Sequence, residues 1–217
     1  MQLLDIHTHK VTTNLEAISI QSFSLTEPLP QISINKPISV GLHPWYVTLS
    51  NLEGQLAVLT QIAQQPQVKM IGECGLDRLK GEPLANQLVI LEKQIALAEQ
   101  LNKPLILHCV RCFDELMAMK KRLNVQVPMV IHGFNKNAEL GQQLLDKGFW
   151  LSFGEATLKQ EANATKLLIA TDRFFLETDE GEAGIASIYE AASNLKKSSL
   201  DELKALIFAN WKKIGLI

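Results

Sequence analysis

Cysteine is scarce, with three in 217 residues. An odd and small number excludes a disulfide framework as the basis of the fold. Charge of one sign is missing too. Lys+Arg is 21 and Asp+Glu is 23, a formal net charge of -2, which excludes a strongly basic nucleic-acid coat but leaves room for a local basic patch. No apolar run approaches the ~18 residues that span a bilayer, so no membrane partner is expected. The N-terminal Met1–Lys10 carries an acid at Asp5 and lacks a basic segment, so it does not read as a secretory leader. There is no internal repeat, no low-complexity tract and no Gly-rich phosphate turn after a strand. What remains is a protein of a reducing compartment, expected to be cytoplasmic, with no obligate protein partner implied. At 47% hydrophobic content over 217 residues the chain can bury a sizeable core, and its length fits one domain, 1–217.

Short apolar runs alternate with amphipathic stretches, the pattern of α/β proteins with a parallel sheet. Eight strands are predicted: Leu3 to His7, Ala17 to Ser24, Pro37 to His43, Val68 to Glu73, Pro104 to His108, Pro128 to His132, Phe149 to Phe153 and Arg173 to Thr178. Helices are predicted from Leu52 to Ala63, Leu84 to Leu101, Asn137 to Lys147 and after Ser199. Leu84, Leu88, Leu91, Ile95 and Ala98 recur at steps of three and four on one face of the second. Ser199 and Glu202 form a capping-box pattern ahead of Leu200, Leu203, Leu206 and Ile207. Between the first and third strands there is too little sequence for full helices, and Lys10 to Lys36 holds one strand and polar, Pro-containing loops. Eight strands with mostly helical crossovers predict a (β/α)8 TIM-type barrel, small and distorted, with reduced helices after the first strands.

All five histidines, His7, His9, His43, His108 and His132, fall at the C-terminal ends of predicted strands. Glu73 and Asp179 occupy similar positions. In a (β/α)8 barrel these ends meet at the mouth where active sites lie. His7-Thr8-His9 can turn both imidazoles to one face, because side chains alternate along a strand. Glu73 ends an apolar strand between two glycines, where a carboxylate is costly unless paired or bound to a metal. Asp77 fits a carboxylate satisfied by turn amides better than a ligand. One histidine ending a hydrophobic strand is usually a core residue; His108 and His132, in successive strands, favour a shared ligand role. Of the acids closing the last strand, Asp179 is assigned to the site and Glu177 to a supporting hydrogen bond. Four imidazoles and two carboxylates exceed what one catalytic zinc takes. They suit two ions of zinc, manganese or another first-row metal, which activate water and stabilise a leaving oxygen. An aspartate beside them can orient that water and accept its proton.

These residues resemble the TatD-type metal-dependent deoxyribonucleases, within the amidohydrolase-like hydrolases. The resemblance runs in order through Asp5-Ile-His7-Thr-His9, Gly41-Leu-His43-Pro44, Gly72-Glu73-Cys-Gly75-Leu-Asp77, Leu107-His108, His132-Gly-Phe134, Glu177-Thr-Asp179 and Asn210. It implies that His7, His9 and Asp179 hold one divalent ion, that His108 and His132 hold a second, and that Glu73 bridges them. The two ions are zinc, manganese or magnesium. It also implies catalytic roles for Asp179 and Glu73, with His43 contacting substrate phosphate. The implied reaction is phosphodiester hydrolysis, often from a DNA 3′ end; some relatives of the same shape cleave D-aminoacyl-tRNA esters.

Three departures from the family pattern stand out. Val110 occupies the place where many members carry an arginine, and Arg111 comes one residue later. Arg78, Arg111 and Lys136 are the candidates to replace it at the phosphate. Glu180-Gly181 stands where Ser-Pro is common, and the chain is shorter than most members in its first third. Trp45, just after His43-Pro44, is a candidate substrate contact alongside Arg78 and Arg111. Cys109-Val-Arg-Cys112 reads as small buried residues rather than a redox or zinc pair. The alternatives to a nuclease are an ester or amide hydrolase and an accessory protein that keeps the fold without turnover.

Overall fold

The apolar runs become strands in the computed structural model, which describes residues 1–11, 16–25, 36–159 and 161–217. They are β1 Leu3–Thr8, β2 Ala17–Ser24, β3 Ile38–Gly41, β4 Val68–Asp77, β5 Leu105–Val110, β6 Met129–Ile131, β7 Phe149–Phe153 and β8 Phe174–Leu176. The helices are α1 Leu52–Ala63, α2 Leu84–Leu101, α3 Phe113–Arg122, α4 Ala138–Asp146, α5 Asn163–Ala170, α6 Ile185–Lys196 and α7 Leu200–Lys213, with a 3-10 turn at Glu155–Leu158. The sheet order is β1-β2-β3-β4-β5-β6-β7-β8. A parallel bridge from Thr8 to Asp179 returns the chain after β8 to β1. Strands in sequence order joined by helical crossovers define the (β/α)8 TIM-type class. Among the described residues no helix lies between β1 and β3. The loops expected from Lys10 to Lys36 fall largely on residues 12–15 and 26–35, outside the described ones. No helix among the described residues is long and apolar enough to cross a membrane.

The chain divides into two units, Met1–Gln21 with Val130–Ile217, and Ser22–Met129. In the first, β1 is buried at every position. Its register on β2 shifts between Asp5 and Thr8, the stretch that carries His7. Such a bulge re-aims side chains near a site. From α6, the Tyr189 hydroxyl donates to the Leu4 carbonyl and accepts from the Leu4 amide, both at 3.1 Å. Buried Asn210 on α7 donates to the carbonyls of Asp172 at 2.7 Å and Phe174 at 3.0 Å, holding the entry to β8. The capping box at Ser199 and Glu202 forms as expected. Leu200 is 36% exposed, contrary to its expected inward place, because it opens the helix before the face of Leu203, Ile207, Asn210 and Trp211 engages.

In the second unit α2 has the expected length, yet its buried face is rotated. Leu84 and Leu88 are half-buried, while Gln87 and Gln94 are buried beside Ile90, Leu91, Ile95 and Ala98. Each glutamine satisfies loop backbone. Gln94 accepts from the Leu42 amide at 2.8 Å and donates to its carbonyl at 3.0 Å. Gln87 accepts from the Asp77 amide at 2.7 Å and donates to the carbonyls of Asp77, Lys80 and Glu82. Two polar residues seven apart thus fix the chain beside His43 and after β4. Burial of their backbone partners is tolerable because the hydrogen bonds are made.

Strand β4 continues to Asp77, four residues beyond its predicted end at Glu73, and its register on β5 shifts between Ile71 and Cys74. The glycines flanking Glu73 allow this. Gly72 and Gly75 have φ of 134° and 147°, and a Cβ on Gly75 would stand 2.0 Å from the His108 carbonyl oxygen. Gly75→Ala is therefore expected to destabilise the protein by about 3 kcal/mol, through both overpacking and an unfavourable φ. A urea titration checks this; a midpoint equal to that of the wild type contradicts it.

Candidate metal centres

In the first unit the donors come from the C-terminal ends of β1, β6 and β8. The Nε2 atoms of His7 and His9 each lie 3.6 Å from Asp179 Oδ1, and His132 Nδ1 lies 3.6 Å from Asp179 Oδ2. Two ligands at 2.0–2.1 Å from one tetrahedral ion stand about 3.4 Å apart. The observed spacing is close to that figure and longer than an ordinary hydrogen bond. His7, His9 and Asp179 offer ligand atoms that all lie within 4.8 Å of one another, as do His132, Glu177 and Asp179. His9 and Asp179 are 30 and 33% exposed, whereas His7 is fully buried, so the open side of the cluster is at His9 and Asp179.

The backbone builds this arrangement. Asp179 sits at φ 49°, in the left-handed region. Its amide donates to the His7 carbonyl at 2.9 Å, and its carbonyl accepts from the His9 amide at 3.3 Å. A non-glycine residue held there is uncommon and marks a position that the surrounding structure determines. Burial pushes the Asp179 carboxyl up, but His132 and His7 outweigh that and hold it well below the usual carboxylate range. It is therefore ionised at neutral pH. Beneath it, burial raises the Glu177 carboxyl, and Glu177 Oε1 accepts from the Gly133 amide. Burial also pushes Asp5 up to about 7, against hydrogen bonds from the Thr178 hydroxyl and amide. A cavity of about 250 Å³ opens beside Asp179, lined by Gly133, Asn135, Glu155, Glu177 and Gly181 among others.

In the second unit the donors follow β3, at His43, and lie within β4, at Glu73, and β5, at His108. Glu73 is 3% exposed. Its Oε1 lies 3.1 Å from both His43 Nε2 and His108 Nδ1. The Trp45 amide donates to His43 Nδ1 at 3.2 Å. That nitrogen is therefore the lone-pair atom, and Nε2 carries the hydrogen and donates to Glu73. His43, Glu73 and His108 cluster closely enough for an ion, but this tautomer makes His43 a donor that orients Glu73 rather than a ligand through Nε2. Asp77 Oδ1 accepts from the Leu79 amide at 2.8 Å, the turn bond expected of it. Its Oδ2 accepts from Trp45 Nε1 at 2.6 Å and lies 3.2 Å from His108 Nε2. Burial raises the Asp77 carboxyl, but bonds from Trp45, Leu79 and His108 prevail and lower it.

The remaining candidates are placed as follows. The Trp45 ring is half-buried beneath Lys80 Nζ, 3.5 Å from its centroid; neighbouring Tyr46 is 51% exposed. Arg78 pairs with Glu115 and donates through Nε to the Arg111 carbonyl at 2.9 Å. Arg111 and Lys136 are exposed, Arg111 at φ 56°. Glu180 is exposed as well. Cys74, Cys109 and Cys112 form no disulfide. Sequence reading passed over Gln87 and Gln94 as supports and named Asn210 only within the family resemblance; polar residues at core-facing helical positions are the signal that marks all three.

Imidazole and carboxylate clusters at strand ends fit a divalent metal on donor chemistry alone. With the fold, they define the class of (β/α)8 metal-dependent hydrolases. The chain belongs to the TatD family of these enzymes: the family model described as TatD related DNase matches residues 7–214. An uncharacterized metal-dependent hydrolase of Haemophilus influenzae is 28% identical over 177 residues, 77% of this chain and 67% of that protein. The 3'-5' ssDNA/RNA exonuclease TatD of Erwinia billingiae is 34% identical over 151 residues, but the match spans only 65% of this chain and 56% of the exonuclease. The crystal structure of YjjV, a TatD homologue of Escherichia coli, superposes with a TM-score of 0.78 at 19% identity, over 98% of this chain and 97% of that one. At that identity the likeness concerns the fold.

Proposed function

We propose that this chain is a nuclease, hydrolysing phosphodiester bonds of DNA or RNA with two divalent ions, and acts as one domain over 1–217. The proposed ligands are His7, His9, Glu73, His108, His132 and Asp179. The observation that carries the reading is the ring of His7, His9 and His132 around the Asp179 carboxylate at near-equal 3.6 Å separations. When bound, divalent ions acidify water and screen the charge of the attacked phosphorus. Asp179, ionised and partly open, accepts the proton of the attacking water on a carboxylate oxygen. Glu73 is held as a carboxylate acceptor by the Nε2–H of His43. Tyr46 offers an exposed ring for a base, and Arg111 and Lys136 are the exposed cations available to the phosphate.

One observation favours a second reading. The cavity beside Asp179 is lined by the carboxylates of Glu155, Glu177 and Asp179, a setting that repels a phosphate and attracts an ammonium. A D-aminoacyl-tRNA ester carries such a group. A substrate panel distinguishes the two: 5′-labelled single-stranded DNA and RNA against D-aminoacyl-tRNA, with zinc, manganese or magnesium added, and with chelator. The nuclease reading expects shortening of the labelled strands that chelator abolishes. Ester cleavage alone moves the assignment to the second reading. No turnover of either, with no rise in melting temperature on adding metal, points to a protein without catalysis.

A further inference from the structure

Asp77 ends β4 at 3% exposure and is held from several directions. Gln87 binds its amide and carbonyl, the Leu79 amide occupies Oδ1, and the Trp45 indole occupies Oδ2. The same Oδ2 faces His108 Nε2 at 3.2 Å. A carboxylate only accepts, and Nδ1 of the same imidazole faces a second one, Glu73 Oε1, at 3.1 Å. With a divalent ion held by Nδ1 and Glu73, the one hydrogen left on the imidazole lies on Nε2, where Asp77 accepts it. A carboxylate behind a metal-binding histidine fixes its tautomer and orientation and raises its basicity.

We propose that Asp77 is a positioning residue: it sets His108 as the Nε2–H tautomer and so presents Nδ1 to the metal, while the Trp45 indole holds Asp77 in place. This rests on the metal-hydrolase reading above. It also gives Trp45 a supporting task in place of a stacking one. Asp77→Asn reverses the polarity. The Leu79 amide retains the single amide oxygen, and the new NH2 group faces His108 Nε2, which must then accept. The imidazole proton moves to Nδ1 and blocks the ligand atom. Metal affinity is expected to fall about 10–100-fold.

The test has two readouts. The first is the state of the His108 imidazole in the zinc-loaded protein, read by 15N NMR as the nitrogen that keeps its hydrogen and the nitrogen that carries zinc. The second is zinc affinity by calorimetric titration for the wild type, Asp77→Asn and Trp45→Phe. Expected are Nε2–H with zinc on Nδ1 in the wild type, about 10–100-fold weaker zinc binding in Asp77→Asn, and a smaller loss in Trp45→Phe with Nε2–H retained. The wild-type tautomer needs no variant, and Trp45→Phe keeps the carboxylate should Asp77→Asn fail to fold. Zinc on Nε2 in the wild type, or unchanged zinc affinity in both variants, overturns the positioning role while leaving the metal reading standing. A wild type that binds no zinc overturns the metal reading, and with it the ligand half of the proposal.

Discussion

Asp179→Asn is expected to lower turnover about 10²–10⁴-fold, the range associated with loss of a positioned proton acceptor, without unfolding the protein. The substitution is chosen for the backbone. Asp179 stands at φ 49°, a conformation that asparagine adopts readily and alanine does not. Its amide and carbonyl bonds to His7 and His9 are made by the main chain and survive the change. What is lost is the negative charge among His7, His9 and His132. Initial rates on the preferred substrate, alongside a thermal melt, check this. A variant within threefold of wild-type turnover contradicts the role given to Asp179; a lost melt at unchanged specific activity contradicts the backbone argument.

Glu73→Gln is expected to separate stability from metal binding. A buried carboxylate is tolerated in the wild type because His43 Nε2 and His108 Nδ1 converge on one oxygen. An amide fills the same volume without a buried charge, so the metal-free melting temperature is expected not to fall. Functional groups commonly carry such a stability cost. Metal-induced stabilisation behaves differently. At a concentration of 100 times Kd a ligand adds about 2.7 kcal/mol, roughly 5–10 °C for a chain of this size. That rise is expected in the wild type and absent in Glu73→Gln over the same zinc titration. Equal rises in both proteins would remove Glu73 from the ligand set.

Much of this site was legible because polar residues ending apolar runs are conspicuous. The stretches Ala17–Ser24 and Phe149–Phe153 become strands with the bounds read from sequence. His7, His108 and His132 lie at or near strand ends. Less legible was anything that depends on long-range hydrogen bonding. Gln94 meets Leu42 across 52 residues, and Tyr189 meets Leu4 across 185; no periodicity marks such pairs. Periodicity also misplaces the buried face of α2, since a search for apolar positions passes over Gln87 and Gln94. The short α3 buries only Leu116 and Met119, too few positions to set a helical repeat. Asp77 shows a subtler limit. Its turn bond to Leu79 follows from local sequence, whereas its contacts with Trp45 and His108 require β4 to run past Glu73, and the glycines that permit this read equally well as a strand end.

The central claim is that the strand-end histidines and carboxylates are metal ligands. Anomalous diffraction at the zinc or manganese edge, from crystals grown with that metal, tests it most directly. The account expects peaks within about 2.0–2.2 Å of His7, His9 and Asp179, and of Glu73 and His108 Nδ1. A well-ordered crystal with metal only at surface residues, and none at these donors, would contradict it.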